Sequence, residues 1–135
     1  MTALATARDT QRRTGQQLSL PVAAATKIFE GSIVALAATG FATKGATATT
    51  LLAAGVAETT VDNSAGANGD VSVDVKRGVF KFGNSASTDQ ITLADYGKQC
   101  YIVDDQTVAK TSGTNTRSVA GIVRGVDTDG VWVDF

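Results

Sequence analysis

The stretch that runs from residue 71 to residue 82 constrains the fold most, because apolar and polar side chains alternate along it. Valine occupies every second position of residues 71–75, and after Gly78 the alternation resumes on the other parity with Phe80 and Phe82. A period of two is typical of a half-buried β-strand. A slip of one position at a glycine predicts a β-bulge or corner that keeps both sets facing one core, and two strands joined tightly at residues 76–78 are the alternative.

Other short apolar segments, separated by turn-forming residues, extend this β pattern along the chain. The strand candidates are residues 33–37, 51–57, 99–103, 107–109, 119–126 and 131–135. Turns at 104–106 and 127–130 predict two hairpins, and residues 62–70 predict a loop. The chain has 14 glycines and one proline, which suits turns and bulges. The sequence therefore predicts an all-β fold, a small β-barrel or β-sandwich.

One weak internal echo links two of these strands. Residues 54–57 read Ala-Gly-Val-Ala, and residues 120–123 read Ala-Gly-Ile-Val. Both are predicted to be strands in which glycine permits a close backbone approach. Four residues are too short to establish a repeat.

The first twenty residues differ from the rest and predict an arm, residues 1–20, ahead of a β-domain, residues 21–135. The segment is mostly polar or small, and its positive charges exceed its negative ones. Pro21 biases Leu20 toward an extended backbone, and a helix over residues 3–13 would be marginal. We expect an arm that stays disordered or extended until it meets a surface, and a frayed terminus without a role is the alternative. Deleting residues 1–20 is expected to leave the domain folded.

Composition argues against catalysis and against several classes of partner. The chain has no histidine and one cysteine, which removes the usual nucleophile–base pairs, imidazole metal sites and an internal disulfide. The formal net charge is −1, so no basic field attracts nucleic acid. No apolar run is long enough for a membrane span, and no secretion signal precedes the domain. We expect a protein that is not an enzyme, needs no cofactor or metal, and is made in a cytoplasm.

Two acidic motifs have a structural and a chemical interpretation. Asp127-x-Asp129-Gly130 resembles part of a calcium loop, but the downstream glutamate is missing and a hairpin turn is favoured. Asp104 and Asp105 are adjacent, and neighbouring carboxylates in a strand or turn point apart, so turn or solvent roles are favoured.

The remaining candidates are basic, thiol and aromatic side chains. Arg77 and Lys81 near the phenylalanines are better explained by outward cations alternating with inward rings than by base stacking. Cys100 is best interpreted as a small buried hydrophobe. Trp132 lies on the face of the last strand opposite Val131, so it is either a core residue, which is slightly favoured, or a possible interface anchor.

In its order of segments the chain resembles the small capsid decoration, or cement, proteins of tailed bacteriophages. The segments that carry the resemblance follow the short arm and are residues 31–36, 54–57, 71–82, 95–105, 119–123 and 130–133. The resemblance covers about residues 22–135, and each segment alone is a weak strand-and-turn motif.

This resemblance implies a β-rich structural protein of the virion without an active site. Such a protein binds the outside of the capsid, bridges neighbouring subunits of the major capsid protein and forms a homo-oligomer, with a trimer favoured. The resemblance gives the arm a role in contacting the capsid, and the candidate contact residues are Leu4, Arg8, Arg12, Arg13, Leu18 and Leu20. It implies no nucleic-acid or membrane partner, and a chain made in the host cytoplasm and located on the capsid exterior.

Two other functions stay open. A tail or baseplate β-module would have few copies per virion. A glycan-binding or other ligand-binding β-domain would use exposed aromatic residues, for which Tyr96, Tyr101 and Trp132 are the candidates.

Overall fold

A computed structural model describes residues 2–135, and it confirms the all-β fold. Two single-turn 3-10 helices, Ser87–Asp89 and Leu93–Asp95, interrupt a chain that is otherwise strands and turns. The twelve strands are β1 (Gln17–Pro21), β2 (Thr26–Ile28), β3 (Ile33–Leu36), β4 (Ala42–Lys44), β5 (Leu52–Ala57), β6 (Val61–Asn63), β7 (Ser72–Lys76), β8 (Val79–Asn84), β9 (Gln99–Ile102), β10 (Thr107–Ala109), β11 (Val119–Asp127) and β12 (Gly130–Asp134).

The strands form two successive units. In the first, which we call unit 1 (residues 17–76), five strands lie in the order β1-β7-β5-β3-β4. A parallel bridge between Val22 and Ala42 joins the two edges of this sheet, and β2 and β6 form a separate antiparallel pair. In the second, unit 2 (residues 79–134), β10-β8-β12-β11-β9 form a closed barrel, which a parallel pairing of β10 with β8 completes.

The two units have the same topology. Each strand of the order β1-β7-β5-β3-β4 has its counterpart in β8-β12-β11-β9-β10, and the edges meet through a parallel contact in both. From β3 to β5 the equivalent residues are 66 positions apart, as Gly31 and Gly97 are. The same hydrogen bonds recur, because Gly31 N donates to Ala57 O at 2.9 Å and Gly97 N donates to Val123 O at 2.9 Å. The chain therefore contains an internal duplication of one structural unit.

The short sequence echo marks the same structural feature in both units. The register between β3 and β5 shifts by one residue at Ala54, and that between β9 and β11 shifts at Ala120. At the following glycines, Gly55 and Gly121, a Cβ atom would overlap a carbonyl oxygen of the neighbouring strand. The prediction of a close backbone approach at these two glycines is confirmed.

Both predicted hairpins are confirmed. β9 pairs with β10 across residues 103–106, and β11 pairs with β12 across Thr128 and Asp129. In β12 Val131 and Val133 are buried, whereas Trp132 lies on the other face.

The structure has two cores, one within unit 1 and one in unit 2 that also includes Ile33 and Val56, which corrects the expectation that the valines and phenylalanines of residues 71–82 share one. Val73 and Val75 pack in unit 1, whereas Phe80 and Phe82 pack in unit 2. Residues 77 and 78 link β7 to β8, and the chain crosses there from one unit to the other. The change of parity is therefore a change of sheet, as in the alternative of two tightly joined strands.

The N-terminal segment is divided differently from the predicted arm. Residues 2–16 are exposed and form no helix or strand, so the helix considered over residues 3–13 is not formed. Residues 17–20 belong to β1, which pairs with β7. Leu18 and Leu20 alternate with exposed neighbours and pack against the core of unit 1. Deleting residues 1–20 would therefore remove most of strand β1 together with the exposed segment.

Candidate partner-binding surfaces

The extended N-terminal segment, residues 2–16, presents most of the arm residues that the sequence identified. Leu4, Arg8, Arg12 and Arg13 are all exposed. Leu18 and Leu20 are separated from them, since both pack against the core and thus have a structural role. The exposed segment therefore has an apolar residue near its start and three cations along its length.

A basic groove lies where this segment joins unit 1. It has a volume of about 770 Å³ and is lined by Arg13, Gln16, Lys76 and Arg77 among others. The Lys76 ammonium group lies 3.5 Å from a carboxylate oxygen of Glu58, which balances one of the charges. The segment and the sheet together form a surface with net positive charge.

Trp132 occupies the outer face of the unit 2 barrel. It is 38% exposed, so it is not a core residue, contrary to the slightly favoured interpretation. Its indole nitrogen donates a hydrogen bond to Asp127 Oδ2 at 2.8 Å, and Lys81 Nζ lies 5.6 Å from the ring centroid. These contacts hold the ring in one orientation on an accessible surface, which is what an interface anchor needs.

Lys81 also forms ion pairs with the two carboxylates of the Asp127–Asp129 turn. Its ammonium group lies 2.7 Å from Asp129 Oδ1 and 3.4 Å from Asp127 Oδ2. The hydrogen bond from Lys81 lowers the pKa of Asp129, and the same bond raises the pKa of Lys81. The predicted hairpin turn is confirmed at this motif, and both of its carboxylates form ion pairs with Lys81.

The predicted alternation of an outward-facing Lys81 with inward-facing phenylalanines is also confirmed. Lys81 is exposed, whereas Phe80 and Phe82 face the core of unit 2. Phe82 packs edge-on against Phe135, with ring centroids 5.6 Å apart. Outward cations and inward rings therefore explain this strand.

Each unit exposes an aromatic ring on the loop that leads to the equivalent glycines, two residues before Gly31 in unit 1 and one residue before Gly97 in unit 2. In unit 1 the ring is Phe29, with Lys27 Nζ 5.0 Å from its centroid. In unit 2 it is Tyr96, with the Arg124 guanidinium 6.0 Å from its centroid. Sequence reasoning missed Phe29, because only the duplication shows that the two loops correspond. The molecule thus carries two similar aromatic and cationic surfaces.

Asp95, which begins one of the resembling segments, is a buried carboxylate that caps a turn. It accepts a hydrogen bond from Thr92 N at 2.9 Å, and Lys98 and Lys110 lie 3.8 and 3.9 Å from its Oδ1. The Thr92 backbone bond, followed by the two cations, lowers the pKa of Asp95. A general acid needs a raised pKa, so the arrangement is that of a structural cap.

Cys100 is a fully buried side chain in the unit 2 core, as predicted. Burial raises the pKa of its thiol to about 11. The equivalent residue of unit 1 is Val34, which is also fully buried. Among residues 2–135, no three His, Cys, Asp or Glu side chains are grouped in a way that could hold a metal ion.

Comparison of the chain with protein-family models, with curated proteins and with solved structures finds no match. Within residues 2–135, no helix has the length and apolarity needed to cross a membrane.

Proposed function

We propose that the chain is a structural virion protein that decorates the outside of a tailed-phage capsid and cements it. In this role it bridges neighbouring subunits of the major capsid protein and acts as a homo-oligomer, with a trimer favoured. It performs no catalysis. Its location would be the capsid exterior, after synthesis in the host cytoplasm.

The observation that carries the proposal is the duplication. Two units of the same topology are joined by a two-residue link and packed against each other. A capsid surface is a lattice of repeated subunits. A rigid pair of similar modules suits two neighbouring sites of such a lattice, and repeated weak contacts then combine into strong attachment.

The exposed loops supply a contact of the right kind in each unit. Phe29 and Tyr96 offer apolar rings beside the cations Lys27 and Arg124. Aromatic and arginine side chains are enriched among the residues that dominate binding energy at interfaces. In the proposed complex these two loops contact equivalent positions on adjacent capsid subunits.

The N-terminal segment supplies a second contact. Residues 2–16 are exposed and carry Arg8, Arg12 and Arg13 against Asp9. A segment of this kind can order on a partner and cover a large area. Because its charges are exposed, we expect the attachment to weaken as salt rises.

The test is the copy number of the chain in purified particles, relative to the major capsid protein. A ratio near one to one supports a cement distributed over the whole lattice. A handful of copies would instead indicate a tail or baseplate module, and complete absence would refute a virion role.

A second experiment adds purified chain to particles that lack it and measures DNA retention on heating. Deleting residues 2–16 leaves β1 in place and should weaken attachment without unfolding the domain. The matched pair replaces Arg8, Arg12 and Arg13 with Gln, or Thr6, Thr10 and Thr14 with Ser. Equal retention of DNA by both variants would show that the cations of the arm are not used.

A further inference from the structure

A polar pocket opens on unit 2 where the turn between β11 and β12 meets the end of β8. It has a volume of about 510 Å³, within the range of about 300–1,000 Å³ that is usual for ligand sites. The pocket is lined by residues 83–86, Gln90 and residues 126–130. Gln90 and Thr128 are exposed, so the amide and the hydroxyl group can exchange bound water for a ligand.

Two carboxylates on the wall of the pocket are held in place by their neighbours. Asp127 Oδ2 lies 2.8 Å from Trp132 Nε1 and 3.4 Å from Lys81 Nζ. Asp129 Oδ1 lies 2.7 Å from the same ammonium group. These contacts engage one oxygen of each carboxylate. The second oxygen of each can accept a hydrogen bond from a ligand without any rearrangement of the wall.

Trp132 stands at the edge of this pocket. Asp127 joins the two, because it lines the pocket and also accepts the hydrogen bond of the indole. On the neighbouring strand Trp132 is opposite Gly125, where a Cβ atom would lie 3.1 Å from Trp132 Cδ1. The missing side chain at Gly125 lets the ring lean onto the sheet, and 38% of Trp132 remains exposed. The indole is therefore an oriented, accessible aromatic surface beside a polar pocket.

We propose that this pocket, together with Trp132, binds a neutral saccharide. A sugar ring carries hydroxyl groups around its edge and C–H groups on its faces. The hydroxyl groups match the carboxylate oxygens, the Gln90 amide and the Thr128 hydroxyl, and the C–H groups pack against the negatively polarised face of the indole. A chain of two or more sugars suits this arrangement, because one sugar occupies the pocket while the next contacts the ring.

The charges around the pocket narrow the class of saccharide. Asp127 and Asp129 carry two negative charges, and Lys81 offsets one of them. The remaining charge is negative, so a carboxylated or phosphorylated sugar would be repelled. Hydroxyl groups avoid this repulsion, and their hydrogen bonds to a carboxylate are about twice as strong as those between neutral groups. The pocket therefore favours a neutral saccharide over an acidic one.

Titration of the purified full chain with sugars tests the proposal, and Trp132, the single tryptophan, reports on the site directly. The probes are neutral trisaccharides of glucose, galactose, mannose and N-acetylglucosamine, each up to about 10 mM, with sialyllactose as the acidic counterpart. At least one neutral probe should change the tryptophan fluorescence and shift the NMR amide signals of residues 83–90 and 126–132. No response to any neutral probe, an equal response to sialyllactose, or signal shifts confined to other residues would overturn the proposal.

Variants of the responding chain, measured by NMR, assign the contacts. Trp132→Ala and Gln90→Ala should each raise the dissociation constant about tenfold. Gln90 is exposed, so its replacement tests the site with little risk to folding. Tyr96→Ala is the matched control, because Tyr96 is another exposed ring beside a cation but does not line the pocket. Unchanged binding in both site variants, or an equal loss in Tyr96→Ala, would refute the assignment. These assays need no capsid, so saccharide binding and the proposed cement function can fail separately.

Discussion

The close approach at Gly121 predicts a large effect of adding a single methyl group. A Cβ atom there would overlap Asp134 O and would lie 3.0 Å from Val133 Cγ1. Both obstacles belong to β12, so relief requires moving β11 away from its partner strand. Overpacking costs about 1–3 kcal/mol, and each ladder hydrogen bond weakened on the way costs about 1 kcal/mol. We expect Gly121→Ala to lower the free energy of unfolding by about 3 kcal/mol.

Alanine substitutions at two other glycines distinguish the cost of this steric overlap from the cost of restricting the backbone. Gly97 has φ +81° but no atom within 4 Å of a Cβ position, so Gly97→Ala should cost only about 1–2 kcal/mol. Gly15 has open space around it and should tolerate alanine without measurable loss. Gly55 meets Lys76 O in the same way as Gly121 meets Asp134 O, and its φ is +149°, so Gly55→Ala should cost at least as much as Gly121→Ala.

Urea unfolding provides the assay, because the chain has a single tryptophan whose fluorescence reports on unit 2. Linear extrapolation gives the free energy of unfolding, and a loss of about 3 kcal/mol should lower the melting temperature by roughly 10 °C. The reasoning is refuted if Gly121→Ala loses no more stability than Gly97→Ala.

Three further predictions concern side chains in the interior. Ser118→Ala should lower the free energy of unfolding by about 1–3 kcal/mol, because it leaves Leu51 N and Ala48 O without their partner; an unchanged urea midpoint would contradict this. Asp95→Asn should destabilise the chain by about 1–2 kcal/mol at pH 7. Because the folded pKa of Asp95 is lowered, its stabilisation is complete above an unfolded pKa of about 3.9 and is lost as pH falls through the folded value, so the urea midpoints of the two chains should converge toward low pH. The Cys100 thiol, with a pKa of about 11, should resist alkylation at neutral pH until urea unfolds the chain, and labelling faster than unfolding would show that the site is accessible.

The sequence was sufficient for the fold class and for both hairpins, because alternation and turn residues act locally. It could not show that Val75 and Phe80 belong to different cores. Alternation of apolar and polar residues predicts that a side chain is buried, but it does not predict which sheet buries it. The crossing from one unit to the other at Gly78 therefore produces the same sequence pattern as a β-bulge.

The duplication left only a short echo in the sequence, for a physical reason. Interior positions of the two units keep their apolar character but not their identity, as Val34 and Cys100 or Ala42 and Val108 illustrate. Cores tolerate such exchanges when the total volume is conserved. Gly55 and Gly121 persist because another strand occupies the space of a side chain.

The candidate surfaces were predicted less completely than the fold. Leu18 and Leu20 were assigned to the arm because Pro21 closes that segment of the sequence. In the structure Pro21 lies at the end of β1, which pairs with β7 along the sheet, and proline is tolerated at such an edge. The outward position of Trp132 was predicted from strand parity alone.

The two cores differ in their independence, and this has a consequence for how the chain is made. The core of unit 1 draws all its buried residues from positions 22–75, whereas the core of unit 2 includes Ile33 and Val56. We therefore expect the half that leaves the ribosome first to fold by itself and then to provide the surface on which the second half completes its interior. A fragment of residues 1–77 should unfold cooperatively in urea, whereas a fragment of residues 78–135 should lack a cooperative transition until the first is added.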